Sequence, residues 1–359
     1  MVFIVMRTMF GLILGLIALP VPGHAQAVSL RLMAGDAGGT ESVLAAEMAE
    51  LFAAGPSLRV LPRPGDAGHD NLARLLTEPG IDIAFVSTDA LVDGSAREFG
   101  DLQARLELVA RLAPEEIHVV ARHDIARLED LAGHKVNFGP AGGSAAVTGE
   151  RLFKMLNIQV EPQALDLQAA LAQLQRGAID AAVIVGGKPV PIVGEIRAGL
   201  GIHLLPIPFL AAVEETYLPA RFDHDDYPNL IETETSVPSL ATGMALLAAR
   251  GKDDPGGPDR VALFIETLFS RFTELERPNR HAKWREINLA ATLPGFTRAP
   301  AADAWLAGRP GTDGPVAASR SPVGTIEASA AGAVPLPMSE DQKEALFKGF
   351  VEWQRAKRH

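Results

Sequence analysis

Two glycine-rich turns of nearly the same design are the residues of this chain best suited to holding a ligand. The first reads "GDAGGT" at 35–40 and the second reads "GPAGGS" at 139–144, and a helical pattern follows each. The first backbone N–H groups of a helix have no partner within the helix, and the helix dipole adds partial positive charge there. Glycine allows a ligand to approach this backbone, while the hydroxyls of Thr40 and Ser144 can cap the helix or donate to a ligand. We therefore predict that each turn can bind an anionic group.

Other kinds of site fit the sequence poorly. Neither turn contains the Lys-Ser/Thr pair of a P-loop or the complete dinucleotide-binding glycine pattern, and "GGSAA" is not a nucleophile elbow. His118 and His123 lie on a predicted strand and its exit, without the helix-borne Glu of a zinc motif. The acidic stretch "FDHDDYPN" at 222–229 lacks the spacing of a calcium loop, so a solvated surface turn is favoured over a cation site. We expect no catalysis, no metal and no cofactor.

The composition narrows the class of protein. A chain of 359 residues is long enough for two domains. Its formal net charge of −11 argues against nucleic acid or an anionic membrane as the main partner. The chain has no cysteine, which excludes disulfides, thiolate metal sites, a lipid-modified N-terminal cysteine and a cysteine nucleophile.

The first 25 residues have the pattern of a secretory signal peptide. Arg7 precedes an apolar run over 9–19 and the small-x-small ending "GHA", so cleavage would leave Gln26 as the first residue. The apolar run is shorter than the roughly 20 residues of a membrane-spanning helix, which makes an uncleaved anchor the less favoured alternative. We predict export to the periplasm and a soluble mature protein.

Short apolar runs alternate with helical patterns from residue 28 to about 206, which is typical of an α/β protein. The succession of helix, glycine, Ile-Asp and apolar strand occurs in both "LARLLTEPGIDIAFVST" and "DLQAALAQLQRGAIDAAVIVGG". This repetition favours two similar lobes, with chance similarity of common strand–helix units as the alternative. Because open α/β sheets bind ligands beyond the carboxyl ends of their strands, we expect both glycine turns to lie there.

The predicted organisation has six parts. They are a signal peptide (1–25), the first part of lobe 1 (26–118), lobe 2 (119–208), a return to lobe 1 (209–297), a flexible linker (298–337) and a C-terminal amphipathic helix (338–359). The linker is assigned from its aperiodic Ala, Pro, Gly and Ser content. A stripe of Leu346, Phe350 and Trp353 on the last helix either packs on its own lobe, which is favoured, or docks on a partner.

Several blocks in order resemble the TAXI family of TRAP-transporter solute-binding proteins over about residues 28–275. The most specific are "LEDLAGHKVNFGPAGGS" and "AVIVGGKP", accompanied by "LMAGDAGGT", "IDIAFVSTDA", "APEEIHVVAR" and "VPSLATGMALLAAR". The resemblance implies a type II periplasmic-binding-protein fold, in which two lobes, each a mostly parallel sheet flanked by helices, close over a solute. It also implies a small organic acid or amino acid as the solute, and delivery of that solute to TRAP membrane subunits. We expect a monomer.

Carried over by position, the resemblance implies a pocket built from both lobes. Its residues are Gly35, Asp36, Gly38, Gly39, Thr40, Glu41, Ser87, Thr88 and Asp89 from lobe 1, and Gly142, Gly143, Ser144, Gly186, Gly187, Lys188 and Pro189 from lobe 2. Where the family usually has a Tyr-Tyr-Pro-like stretch, this chain has Glu41, Ser42 and Val43. Glu41 either favours the helix dipole, which is preferred, or faces a ligand amino group. Lys188 either pairs with a ligand carboxylate or is a solvated lysine at the rim.

The leading prediction is therefore an exported solute receptor for transport, with two alternatives. The first is a ligand-sensing periplasmic module whose C-terminal helix docks on a membrane signalling protein, and the segment after the linker motivates it. The second is an enzyme, which rests only on analogy with other two-lobed folds.

Overall fold

The computed structural model describes residues 27–95, 99–252 and 254–308. The predicted signal peptide, the C-terminal helix and most of the predicted linker lie outside the described residues. The chain divides into two compact units, 1–301 and 302–359. Both sheets belong to the first unit, and the described part of the second unit, 302–308, is helical as far as Ala307.

The first lobe is built on a five-stranded sheet in the order β2-β1-β3-β12-β4. Its strands are β1 (Val28–Met33), β2 (Leu58–Arg63), β3 (Ile83–Ser87), β4 (Leu106–Arg111) and β12 (Met244–Ala249). The central β1 is parallel to β2 and β3, whereas β12 is antiparallel to β3 and β4. The helices of this lobe are α1 (Thr40–Ala53), α2 (His69–Thr77), α3 (Thr88–Ser95), α4 (Leu102–Arg105) and α8 (Gly257–Ser270).

The second lobe has a seven-stranded sheet in the order β10-β11-β5-β8-β6-β7, with β9 also paired to β5. Its strands are β5 (Glu115–Arg122), β6 (Lys135–Asn137), β7 (Glu161–Gln163), β8 (Ala181–Gly186), β9 (Ile202–Leu204), β10 (Leu218–Asp223) and β11 (Ser236–Thr242). Only the β6–β7 and β6–β8 pairs of this sheet are parallel among the described strands. Its helices are α5 (Ser144–Met155), α6 (Leu167–Gln175) and α7 (Pro191–Gly194).

Shorter elements complete the chain. Three 3₁₀ helices span Leu128–Leu131, Phe272–Glu274 and Ala282–Glu286, and α9 spans Pro300–Ala307. The predicted linker therefore begins with a helix, because "PAADAWLA" consists largely of good helix formers with Pro in the first turn. No helix in the described part of the chain is long and apolar enough to cross a membrane.

The apolar patterns of the sequence place the cores of both lobes. All residues of β3 and β8 are buried, as their continuous apolar runs predict for central strands. On α6 the buried side chains are Leu167, Ala170, Leu171 and Leu174, the set expected from helical spacing. The predicted N-cap of α6 is also present, since the Asp166 side chain accepts a hydrogen bond from the Ala169 N–H at 2.7 Å.

The two-lobed α/β architecture is confirmed, and the structure differs from the prediction in two respects. Both sheets are mixed rather than mostly parallel, because antiparallel strands cross back into each. The chain passes between the sheets at 112–114 and at Gly243, instead of at 118/119 and 208/209. The first crossing lies earlier than predicted because β5 continues without a break and pairs with β8 along most of its length. The second crossing lies later than predicted because β10 and β11 form an edge of the second sheet rather than returning to the first.

Candidate functional site

The two glycine turns line one cavity between the lobes. Asp36 and Gly39 contribute from the first turn, and Gly139 and Ser144 contribute from the second. Glu41, Asp66 and Asn137 complete the polar lining, and the apolar lining comes from Ala145, Leu167 and the end of β8. The cavity is about 20 Å³, which is room for about one water molecule. The lobes are therefore in close contact around it.

The first turn is occupied by a side chain of the protein itself. Glu41 is only 3% exposed, and its carboxylate folds back over the turn. A Cβ atom on Gly35 would lie 2.9 Å from Glu41 Oε2, and one on Gly39 would lie 3.2 Å from it. The two glycines thus leave the space that Glu41 fills. Glu41 lies in the first turn of α1, where the helix dipole favours a carboxylate, and its side chain also lines the cavity.

The second turn contacts the first lobe directly. The Ser144 N–H donates to the carbonyl oxygen of Asp66 at 2.9 Å, and the His69 N–H donates to the carbonyl oxygen of Gly142 at 2.6 Å. This approach requires a glycine at position 68, because a Cβ there would overlap the Gly142 carbonyl oxygen and lie 2.6 Å from the Gly143 carbonyl carbon. The second turn is thus bonded to the opposite lobe, and its residues Gly139 and Ser144 also line the cavity.

Burial makes the carboxyl groups around the cavity weaker acids than usual. The Asp36 pKa is raised to about 6, mainly by burial and further by the charges of Glu41, Asp66 and Asp166. Burial also raises the pKa of Asp66. Glu41 and Glu115 are hydrogen-bonded to each other through their side chains; burial raises the pKa of both, and the charge of Glu41 raises that of Glu115 further. Two carboxyl groups in this arrangement share a proton.

Polar residues at the end of β3 connect the lobes. The Asp89 carboxylate accepts hydrogen bonds from the Thr148 hydroxyl at 2.8 Å and from the Arg151 guanidinium at 3.3 Å. Ser87 Oγ accepts from the backbone of Ala90, and Thr88 Oγ1 accepts from the Gly243 N–H. Of these three residues of the predicted pocket, Asp89 therefore joins the two lobes, Ser87 satisfies a local backbone group, and Thr88 satisfies the N–H of Gly243 at a crossing between the sheets.

The segment after β8 is also engaged by the protein. Thr40 Oγ1 donates to the Gly187 carbonyl oxygen at 2.5 Å, which links the start of α1 to the second lobe. Gly186 lies beside Thr40. The ammonium group of Lys188 donates to the Asp226 carboxylate at 2.8 Å and to the Arg221 carbonyl oxygen at 2.6 Å. Lys188 is thus neither solvated at a rim nor directed at the cavity.

The remaining predicted positions lie at the same interface. The Pro189 carbonyl oxygen accepts a hydrogen bond from His281 Nε2 at 3.0 Å. Gly38 has a φ of +84° and lies against the Ile192 side chain of the second lobe. These positions therefore hold the lobes together rather than line the cavity.

Sequence reasoning missed two groups at this interface. Lys283, 1% exposed, donates to Glu116 Oε1 at 2.8 Å and to Glu286 Oε2 at 2.9 Å. Burial alone would lower the Lys283 pKa, but the two carboxylates raise it. Lys283 lies 167 positions from Glu116, so no local pattern could reveal the pair. Asp66 follows β2 in the glycine-containing stretch "PGDAGH", and the strand-end argument used for the two turns applies to it equally.

His118 and the acidic stretch at 222–229 have structural roles. Burial lowers the His118 pKa to about 3, so that the ring is neutral. Its Nδ1 donates to the Glu116 carbonyl oxygen and its Nε2 accepts from the Tyr227 hydroxyl at 2.7 Å. Across 27–95, 99–252 and 254–308, no group of three or more His, Asp or Glu side chains is arranged to hold a metal ion.

Several solved structures are similar to this chain. The periplasmic aliphatic sulphonate binding protein SsuA from Escherichia coli is 17% identical, with 92% of this chain and 93% of that chain covered and a TM-score of 0.38. The amino acid ABC transporter substrate-binding protein AbpA from Streptococcus pneumoniae, bound to L-arginine, is 15% identical, with 68% and 90% covered and a TM-score of 0.39. A structure described as a periplasmic transporter is 15% identical, with 71% and 85% covered and a TM-score of 0.48.

The family comparison covers most of the chain. The profile of the NMT1-like family matches residues 32–293, a span that contains both sheets apart from the start of β1. Two mixed sheets, each flanked by helices and joined by two chain crossings, form the type II periplasmic-binding-protein fold. The chain belongs to the NMT1-like family.

Proposed function

We propose that the protein is an exported receptor that captures a small organic acid or amino acid between its two lobes and delivers it to TRAP-type membrane subunits. The observation that carries the proposal is the cavity lined by Asp36 and Gly39 of one lobe and by Gly139 and Ser144 of the other. Membership of the NMT1-like family supports it. The resemblance of the sequence blocks to the TAXI family supports TRAP subunits as the membrane partner.

The contacts between the lobes suit a protein that opens and closes around a solute. They are mainly hydrogen bonds and ion pairs, among them the hydrogen bond of Thr40 with Gly187 and the ion pairs of Asp89 with Arg151 and Glu116 with Lys283. Such polar contacts can be exchanged for contacts with water when the lobes separate. Hinged closure around a ligand is an established motion of two-domain binding proteins.

A thermal-shift screen of the mature chain tests the proposal. Solutes drawn from organic acids, amino acids and amines are added singly, with neutral sugars at the same osmolarity as controls. A bound solute raises the unfolding temperature through a stabilisation of RT ln(1 + [L]/Kd). A rise for at least one class and none for the sugars is expected. The absence of any rise across anionic, zwitterionic and cationic solutes would contradict the proposal.

A second candidate function, a ligand-sensing module for a membrane signalling protein, is favoured by one sequence feature. The segment 338–359 carries the apolar stripe of Leu346, Phe350 and Trp353 on a pattern that predicts a helix. In this case, deletion of 338–359 removes capture of the membrane partner and leaves solute binding unchanged. Partner capture that survives the deletion would exclude a docking role for the segment.

A further inference from the structure

The polar lining of the cavity is acidic. Asp36, Glu41 and Asp66 contribute carboxyl groups to it, and none of the lining residues in the described chain is Lys, Arg or His. Asn137 does not balance them, because its side chain donates to the Leu165 carbonyl oxygen and accepts from the Leu165 N–H. A solute that places a carboxylate here meets negative charge at short range, where the low dielectric of a buried site strengthens repulsion.

The backbone donors that could offset this charge are already in use. The N–H groups of Gly39 and Gly143 donate to carbonyl oxygens within their own turns, at 3.0 Å each. The Ser144 N–H donates to the Asp66 carbonyl oxygen, and the Glu41 N–H bonds to its own carboxylate. The turns therefore offer these donors to groups of the protein rather than to an anionic solute.

Nearby carboxylates at the lobe interface have cationic partners from the chain, whereas those at the cavity do not. Asp89 has Arg151 and Glu116 has Lys283. No ion pair with Lys, Arg or His within the described residues involves Asp36, Glu41 or Asp66. These side chains are left to be neutralised by protons or by a group from outside.

A buried oxygen atom in the same cluster lacks a hydrogen-bond donor. Glu115 is 3% exposed, its side chain is bonded to that of Glu41, and its Oε2 has no hydrogen-bond partner among the described residues. Buried polar atoms are nearly always hydrogen-bonded, so an orphaned acceptor on the partner of Glu41, which lines the cavity, indicates a missing donor. Apart from the proton that Glu41 and Glu115 share, the described part of this cluster has neither a positive charge nor a donor for Glu115 Oε2.

We infer that the solute recognised here carries a protonated amine, and that Asp36, Glu41 and Asp66 are the residues that bind it. An ammonium group supplies three donors and one positive charge, and is about the size of the water molecule that the cavity can hold. Leu167 and the buried end of β8 provide an apolar wall for an attached carbon chain. The lobes must separate before a solute with more atoms can enter. This inference rests on the proposed solute-binding function.

Calorimetry with pairs of solutes that differ in the amine tests the inference. The mature chain is titrated with alanine and pyruvate, and with 1,4-diaminobutane and succinate. At least one amine is expected to bind, and its partner without nitrogen is expected not to bind. If only pyruvate, succinate or other acids bind, the inference is overturned and the solute-binding function stands. If nothing binds in these titrations or in the wider thermal screen, both are overturned.

Variants then locate the amine. Asp36→Asn should weaken binding of the amine by about tenfold or more, as expected for the loss of a charge-assisted hydrogen bond. Glu195→Gln removes an exposed carboxylate from the second lobe and should leave the affinity unchanged. The unfolding temperature of each free variant shows whether it is folded. A folded Asp36→Asn protein with unchanged affinity for the amine would overturn the assignment.

Discussion

At the scale of single residues, the hydrogen-bonded pair of Glu41 and Glu115 has the most unusual environment. The two side chains come from different lobes, at the first turn of α1 and the first residue of β5. Both are fully buried, and the pair is stable because a shared proton prevents two negative charges from facing each other at short range. The pair therefore connects the protonation of the cleft with contact between the lobes.

The raised pKa values around the cleft predict a stability that falls as the pH rises. Asp36 has an ordinary pKa of 3.8 and a folded pKa of about 6, in the field of Glu41, Asp66 and Asp166. The folded state therefore binds more protons than the unfolded state between these two pKa values. The contribution of Asp36 to the free energy of unfolding is thus complete below pH 3.8 and is lost as the pH rises through 6. Urea unfolding at intervals from pH 4 to 7 should show this decline.

Variants identify the groups responsible for the decline. Asp36→Asn should flatten the pH dependence of stability between pH 4 and 6. Glu115→Gln should flatten it as well, since the pKa of Glu115 is raised well above its ordinary value by burial and by Glu41. Glu195→Gln, at an exposed position, should follow the unmodified protein. An unchanged slope in both cleft variants would show that these groups do not control it.

The buried ion pair of Lys283 and Glu116 predicts a large effect of a single substitution. Lys283→Met leaves the Glu116 carboxylate buried without its partner at 2.8 Å, which should lower the free energy of unfolding by about 3–5 kcal/mol. The double variant Lys283→Met/Glu116→Gln removes both charges and should recover part of this loss. Urea unfolding at neutral pH measures both. A double variant less stable than Lys283→Met would contradict this account.

At the scale of elements, the glycine at the N-cap of α2 determines how closely the lobes approach. Gly68 is the last residue before α2 and lies against the turn that begins α5. Gly68→Ala should hold the lobes apart, because its Cβ would overlap backbone atoms of Gly142 and Gly143, which cannot rotate away as a side chain could. The variant should remain folded and lose most of the thermal shift that a solute produces.

A second glycine-to-alanine substitution, at a position where the added Cβ meets no other atom, serves as the control for Gly68→Ala. A Cβ on Gly194, at the end of α7, would have no atom within 4 Å, so Gly194→Ala should bind solute like the unmodified protein. Full solute binding by Gly68→Ala would show that the contact between α2 and the second turn is not needed for closure.

Elements with continuous apolar or helical patterns could be predicted from the sequence, and edge strands could not. The buried β3 and β8 and the apolar face of α6 follow directly from residue spacing. The edge strand β10 contains Pro219 and mostly half-exposed residues, so its pattern is weak even though it pairs with β11 over six positions. Tertiary pairing rather than local sequence makes it a strand.

The candidate site could also be predicted only in part, because some of its contacts depend on tertiary pairing. The two glycine turns were expected near a shared cavity, and the structure places residues of both there. Their bonding partners could not be predicted, because the Glu41–Glu115 and Lys283–Glu116 contacts join residues far apart in the chain. Whether a turn at the start of a helix faces a solute or a carboxylate of the protein depends on such distant contacts.

At the scale of the whole first unit, closure of the lobes can be measured with two introduced cysteines, since the chain has none of its own. Ala46 on α1 and Glu195 after α7 are exposed and lie on opposite lobes. Spin labels at Ala46→Cys and Glu195→Cys should show a short distance in saturating solute and an additional, longer distance without it. One unchanged distance distribution under both conditions would contradict hinged closure.

The two chain crossings have a consequence for the direction of that motion. They lie side by side: the Leu112 N–H donates to the Met244 carbonyl oxygen on one side, and Glu115 is the pairing partner of Thr242 on the other. Because the two crossings are bonded together on both sides, we expect them to act as a single hinge, in which a few residues absorb the rotation between the lobes. For the solute receptor proposed above, the angle of this rotation distinguishes the solute-bound form from the solute-free form.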